Sequence, residues 1–303
     1  MELPSYDDLP LVEGVRTSWG VFGDDDTLGC LNLLTEDRAV RGADLVRRGA
    51  VFSLDAALDE IDPPLFGRPP LRHEVYAFPS GTAFDDHIDF WDTQASTQWD
   101  GLRHIRDPLL GFYNRRSADE LSIDAWARRG IVTRGVLADV ARWRARHAQP
   151  IDPSRRDVVE PGDVLATLED QGVAVEPGDI LVIRTGWLGW YRSLGPEERL
   201  GVGPEAGIPG LAGSSDTARV LWNLHVAAVA ADNPGFEAFP IADGEHLHWD
   251  LLPRLGMPIG EFWDLDALAD DCARDRVYEF LLTSAPLHLR GGVASPPNAL
   301  AVK

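Results

Sequence analysis

Two short runs limit what this chain can fold into more than any other feature. Val226–Ala231 (VAAVAA) and Ile180–Ile183 (ILVI) are wholly apolar and carry no polar face to turn towards water. An apolar run of this length without alternation is what a strand covered on both faces requires. Both are strand-sized and far from the roughly 18–20 residues of a membrane-spanning helix. The N-terminal segment MELPSYDDLPLVEGVR is acidic, lacks an apolar core and does not read as a secretory signal. The expectation is a cytoplasmic protein.

Other elements follow from local signals. Thr35 to Gly49 reads as a helix, with Thr35 as cap, Glu36 and Asp37 in the first turn, Arg47 and Arg48 in the last, and Gly49 as a stop. Ala50–Leu58, Gly130–Asp139, Ile180–Arg184 and Tyr278–Ala285 read as further strands. Val140–Ala145, Asp163–Gln171, Ser215–Asn223, His248–Leu255 and Leu265–Asp275 read as helices, and Pro63–Pro70 as a loop. The 29 Gly and 22 Pro are spread throughout, which suits many short elements with tight turns. No linker or charge run divides the chain, so residues 1–303 are expected to form one domain, with residues 1–18 as an N-terminal extension.

Lys plus Arg number 28 against 49 Asp plus Glu, a formal net charge of −21. Such a surface repels phosphate backbones and anionic bilayers, which argues against nucleic-acid or membrane partners. It also points to a neutral or weakly charged small-molecule substrate, unless Arg103, Arg106 or Arg184 reverses the field locally. Hydrophobic residues at 44% and charged residues at 25% are globular proportions. The two cysteines, Cys30 and Cys272, read as buried free thiols.

The chain has no GxGxxG, no GxxxxGK[ST], no GxSxG and no HExxH, so the common nucleotide, hydrolase-elbow and zincin sites find no support. Two polar clusters remain. In Gln94-Ala-Ser-Thr-Gln98-Trp-Asp100-Gly-Leu-Arg-His104, polar residues alternate from 94 to 100 and share one face of an extended segment. Asp100 beside His104 can hold the imidazole and raise its basicity; a polar loop with a structural histidine reads equally from the spacing. The second cluster holds Asp232 and Glu237, then His246-Leu-His248, then Glu261. A His and a Glu brought together there can ligate a divalent metal, whereas a His at a helix start is also a common cap. Trp99 and Trp187 are read as pocket aromatics or as core.

Four stretches resemble the cyclase family, which includes bacterial kynurenine formamidase and isatin hydrolase: STQWDGLRH (96–104), GDILVIRTGW (178–187), AADNPGFE (230–237), and LLPRLGMPIGEFWDLDAL followed by YEFLLTSAPLHLRGGVASPPNALAVK. The resemblance spans Trp19 to the C-terminus. It implies a mixed α/β fold, a partly barrel-like mixed β-sheet with helices packed outside, of the swivelling β/β/α kind. It also implies homodimers or homotetramers, and a zinc- or manganese-dependent hydrolase of amide-type bonds. The family motif HxGTHxDxPxH aligns with residues 94–104, but Gln94 and Gln98 stand where metal-binding histidines belong, Ser96 replaces the glycine and Leu102 the proline. A glutamine amide oxygen is a weaker donor to zinc than imidazole. Asp100 matches a metal ligand, His104 the acid/base, and His248 and Glu261 a second metal position, with His246 as an alternative to His248. Arg184 and Asp232 fall in family stretches near the pocket. Three readings stay open: a hydrolase with a divalent ion (Gln94, Gln98, Asp100, His248, Glu261) or with a metal-free Asp100–His104 pair, a cyclase- or dehydratase-type lyase, and a non-catalytic binder.

Overall fold

The computed structural model describes residues 3–242 and 244–303. Its frame is a curled, nine-stranded mixed sheet forming a half-barrel, with helices packed against it. In chain order the strands used below are β1 (Val51–Ser53), the hairpin β2 (Arg72–Ala77) and β3 (Phe84–Phe90), β4 (Gln98–Asp100), β5 (Ile131–Ala138), β6 (Ile180–Ile183), β7 (Ala228–Ala231), β8 (Ile259–Glu261), β9 (Glu279–Ser284), β10 (Ala294–Ser295) and β11 (Ala299–Val302). The sheet runs β10-β4-β8-β7-β6-β5-β9-β11-β1. The inner four, β5 to β8, are mutually parallel, and the flanking strands pair antiparallel.

The two apolar runs occupy the middle of this sheet. Ala228 pairs with Ile180 and Ala231 with Ile183, and every residue of β6 and β7 is buried. The helix expected over Asp163–Gln171 begins two residues earlier, at Pro161. Pro161 opens it, Glu160 and Asp163 form a capping box, and Gly172 closes it in the left-handed region at φ 69°. Helix Ser215–Asn223 has the expected bounds, with Ser214 as its cap. The helix expected over Thr35–Gly49 is shorter, Glu36–Ala43, and the strand expected over Ala50–Leu58 is only Val51–Ser53. His248–Leu255 is a short turn, Leu247–Trp249, that widens into a π turn over Asp250–Arg254, because Pro253 cannot supply an α-helical N–H. Cys30 and Cys272 are both free and buried. No helix among the described residues is long and apolar enough to cross a membrane.

What matters for the site is the antiparallel pair β4–β8. Gln98 lies opposite Glu261, Trp99 opposite Gly260 and Asp100 opposite Ile259. Side chains alternate across a strand, so Gln98 and Asp100 face one side with Glu261, while Trp99 turns to the other. There Trp99 packs edge-on against Trp263 at 4.8 Å and donates from Nε1 to Ser284 Oγ at 2.9 Å. Gly260 makes room for this pair, since a Cβ there would lie 2.5 Å from Trp263 Nε1 and 2.7 Å from Ala230 Cβ. Gly260→Ala is therefore expected to destabilise the protein by about 1–3 kcal/mol through overpacking, measured as a lowered midpoint in denaturant unfolding.

Candidate functional site

Four segments converge beside this pair. Strand β4 supplies Gln98 and Asp100, and the turn after it supplies His104, whose N–H donates to Gly101 O at 2.8 Å. Gly101 is obligatory for that turn, because a Cβ would sit 2.7 Å from Val293 O. The loop leaving β7 brings Glu237, the turn at Leu247–Trp249 brings His246 and His248, and β8 brings Glu261. Parallel strands ending side by side leave such a crevice at their carboxyl ends.

Asp100 is the centre. It is 1% exposed, and neither of its carboxylate oxygens has a hydrogen-bond partner. Its Oδ2 lies 3.8 Å from His104 Nε2 and 3.9 Å from His248 Nε2. Burial disfavours its charged form, yet the two histidines outweigh burial and hold its carboxyl below the usual range. His248 is buried, with Nδ1 2.6 Å from Glu237 Oε2 and Nε2 3.2 Å from Glu261 Oε1. Burial opposes its charge, but Glu237, Asp100 and Glu261 raise its pKa well above the imidazole norm. Burial, then the charge on Asp100, pushes the Glu261 carboxyl up to about 7. Burial lowers the pKa of His104, and Asp100 only partly offsets it.

The two glutamines are engaged within the cluster. Gln98 Nε2 donates to Glu261 Oε2 at 2.6 Å, while Gln98 Oε1 is buried without a partner. Gln94 Nε2 lies 3.3 Å from His104 Nδ1. Beside the cluster is a cavity of about 180 Å³, whose polar wall is formed by Arg68, His104, Glu237, His246, His248 and Glu261. His246 and His248 both reach it. His246 stacks on Trp249 at 4.0 Å and sits 3.6 Å from Glu237 Oε1.

The remaining expected site residues lie elsewhere. Trp99 is in the core, as described. Trp187 is fully buried, stacked on Tyr191 at 5.1 Å and edge-on to Phe262. Arg184 is held by Asp139 and Asp266. Asp232 accepts from Thr185 N and Oγ1 and from Gly186 N, and so ties β7 to the turn after β6. None of these four lines the cavity; Asp232 anchors the loop that carries Glu237. Glu237 belongs to the second sequence cluster, but nothing in its spacing announced a bond to His248. Phe66 and Arg68, from the proline-rich loop, reach the cavity with no sequence signal at all.

Asp100, His104 and His248 offer donor atoms within 4.8 Å of one another, a spacing that suits a metal ion. The unpartnered oxygens of Asp100 fit a cation, and the Glu237 bond to Nδ1 leaves His248 Nε2 turned inward, the usual support for a metal-binding imidazole.

The cyclase family model matches residues 47–238. A crystal structure described as a novel cyclase is 33% identical, covers 95% of this chain and 99% of its own, and superposes with a TM-score of 0.82. The chain belongs to the cyclase family. Isatin hydrolase A from Ralstonia solanacearum (18% identity, 89% of this chain and 98% of its own, TM-score 0.61) and that from Labrenzia aggregata (20%, 88% and 97%, TM-score 0.58) share the fold. No curated protein matches the chain.

Glu237 sets the charge on His248, so its removal has a defined sign. Glu237→Gln is expected to lower the His248 pKa, read by NMR titration of the imidazole in chelator-treated protein. A pKa unchanged by that substitution would show that Glu237 does not govern the ring.

Proposed function

We propose that the protein is a metal-dependent hydrolase of a small amide, formamide or lactam-like bond. The observation that carries this is the buried, donorless carboxylate of Asp100 between two imidazoles. Support comes from the family and from neighbours of the same fold named as isatin hydrolases and as metal-dependent hydrolases. Asp100, His248 and Glu261 would hold the ion, zinc or manganese. A bound divalent ion supplies Lewis acidity and water acidified towards neutral pH. Glu237 orients His248 through Nδ1, and Gln98 steadies Glu261 through its amide N–H. His104, 21% exposed on its side chain and on the cavity wall, moves the proton to the leaving nitrogen from Nε2. The cavity limits the substrate to a small molecule.

A second reading makes His104 the third donor, because its Nε2 converges with Asp100 and His248. Metal analysis of His104→Gln separates the two. As an acid/base, His104 leaves the metal content intact when replaced while turnover falls about 10²–10⁴-fold. As a ligand, its replacement empties the site. Asp100→Asn is expected to lose both metal and turnover. Metal-free wild-type protein whose activity withstands chelators would instead place the chemistry on an Asp100–His104 pair, and product lacking labelled solvent oxygen would point to a lyase.

The pH dependence has a worked sign. A metal needs His248 neutral, and the carboxylates keep it protonated unusually far up the pH scale. Metal affinity is therefore expected to fall as pH drops, beginning above the ordinary imidazole range, with protons released on binding, measured by calorimetry in two buffers of different ionisation heat.

A further inference from the structure

One cavity residue has no role in the chemistry above. Arg68 lies on the wall with His104, Glu237 and Glu261, yet its Nη1 is buried without a hydrogen-bond partner. Among the described residues no carboxylate comes within salt-bridge distance of it. Scarcity of acids does not explain this, since Asp and Glu outnumber Lys and Arg by 49 to 28. Three other part-buried arginines each hold two carboxylates: Arg134 holds Asp179 and Glu279, Arg184 holds Asp139 and Asp266, and Arg254 holds Asp107 and Asp250.

A guanidinium N–H that gives up water without gaining a partner is costly, and a bound ligand removes that cost. Arg68 is also held in place. Its Cζ lies 5.1 Å over the Phe66 ring, and Phe66 meets Phe239 edge-on at 5.4 Å. Phe66, Phe239, Ile105 and Pro234 make the rest of this wall apolar. A fixed fork of N–H donors beside apolar and aromatic surface matches a planar carboxylate carried on a flat apolar body.

We propose that Arg68 binds the carboxylate of the substrate, so that the cavity selects an apolar carboxylic acid over a neutral molecule. This rests on the cavity being the substrate site of the hydrolase proposed above. It also refines the expectation from net charge. The overall −21 disfavours anions at long range, and the local reversal lies at Arg68. Arg184 is committed to Asp139 and Asp266, and Arg103 to Asp119 and Gly291 O.

The test is calorimetric titration of the full chain, as purified, with phenylacetate and with its neutral isostere phenylacetamide. Wild type is expected to bind phenylacetate at least about tenfold more tightly. Arg68→Met is expected to weaken phenylacetate about 10- to 100-fold and phenylacetamide less than about twofold. Arg68→Lys, which keeps the charge but not the fork, should fall between. The proposal is overturned if wild type shows no preference, if Arg68→Met weakens both ligands alike, or if it leaves the preference intact. It is also overturned if Asp100→Asn abolishes phenylacetate binding while Arg68→Met does not, which would seat the carboxylate on a metal. Should Arg68→Met fail to fold by circular dichroism, Arg68→Lys and Arg68→Gln carry the same comparison. No step depends on turnover, so a chain that hydrolyses nothing still reports whether Arg68 reads a carboxylate.

Discussion

A carboxylate buried with no N–H or O–H donor on either oxygen has to be balanced by charge. Asp100 is in that position, and the rest of the site is arranged around the need. Two imidazoles approach it, one of them held from behind by Glu237. Glu261 crowds the same space, so its own carboxyl gives up its charge more readily than usual. A proton on His248 balances part of the negative charge of the three carboxylates, and the metal ion proposed above would balance it in the proton's place. The two would compete for His248 Nε2, which would link protonation to metal binding.

The backbone makes this crowding rigid. Gln98, Asp100 and Glu261 sit on strands β4 and β8, at a fixed register beside the buried strands β6 and β7. Trp99 and Trp263 fill the opposite face, with Gly260 between them. Asp232 joins the ends of β6 and β7 and thereby anchors the loop bearing Glu237. Groups held on packed strands keep their separation without a bound ligand, which is the condition for preorganised charge.

Much of the frame was legible. Val226–Ala231 and Ile180–Ile183 announce buried strands because nothing polar interrupts them, and helix Ser215–Asn223 announces its own ends. Strands β4 and β8 escaped notice because three residues are too few for a period, although the alternation of Gln98 and Asp100 placed them on one face. The hairpin β2–β3 escaped for the opposite reason. Phe84, Ile88 and Phe90 share one face of β3, but Asp86 interrupts them and both strands stay exposed. Within the site, Asp100, His104, His248 and Glu261 follow from composition and resemblance together. The sequence leaves Trp99 and Trp187 open between core and pocket, because a large aromatic is as valuable in a core as beside a ligand, and both lie in the core. Arg68 was unreadable, since its importance lies in a partner it lacks, and a sequence records residues but not vacancies between them.

The hairpin separates two parts of the same wall. Phe66 and Arg68 precede it, Gln94 to His104 follow it, and its own strands touch water throughout. Closing a longer excursion between two fixed ends costs only about 0.6 kcal/mol for each doubling of length. The polypeptide can therefore gain or lose residues here while both sides of the cavity stay where they are. This is the natural point for grafting foreign sequence into the protein, and for relatives to diverge in size without changing their chemistry.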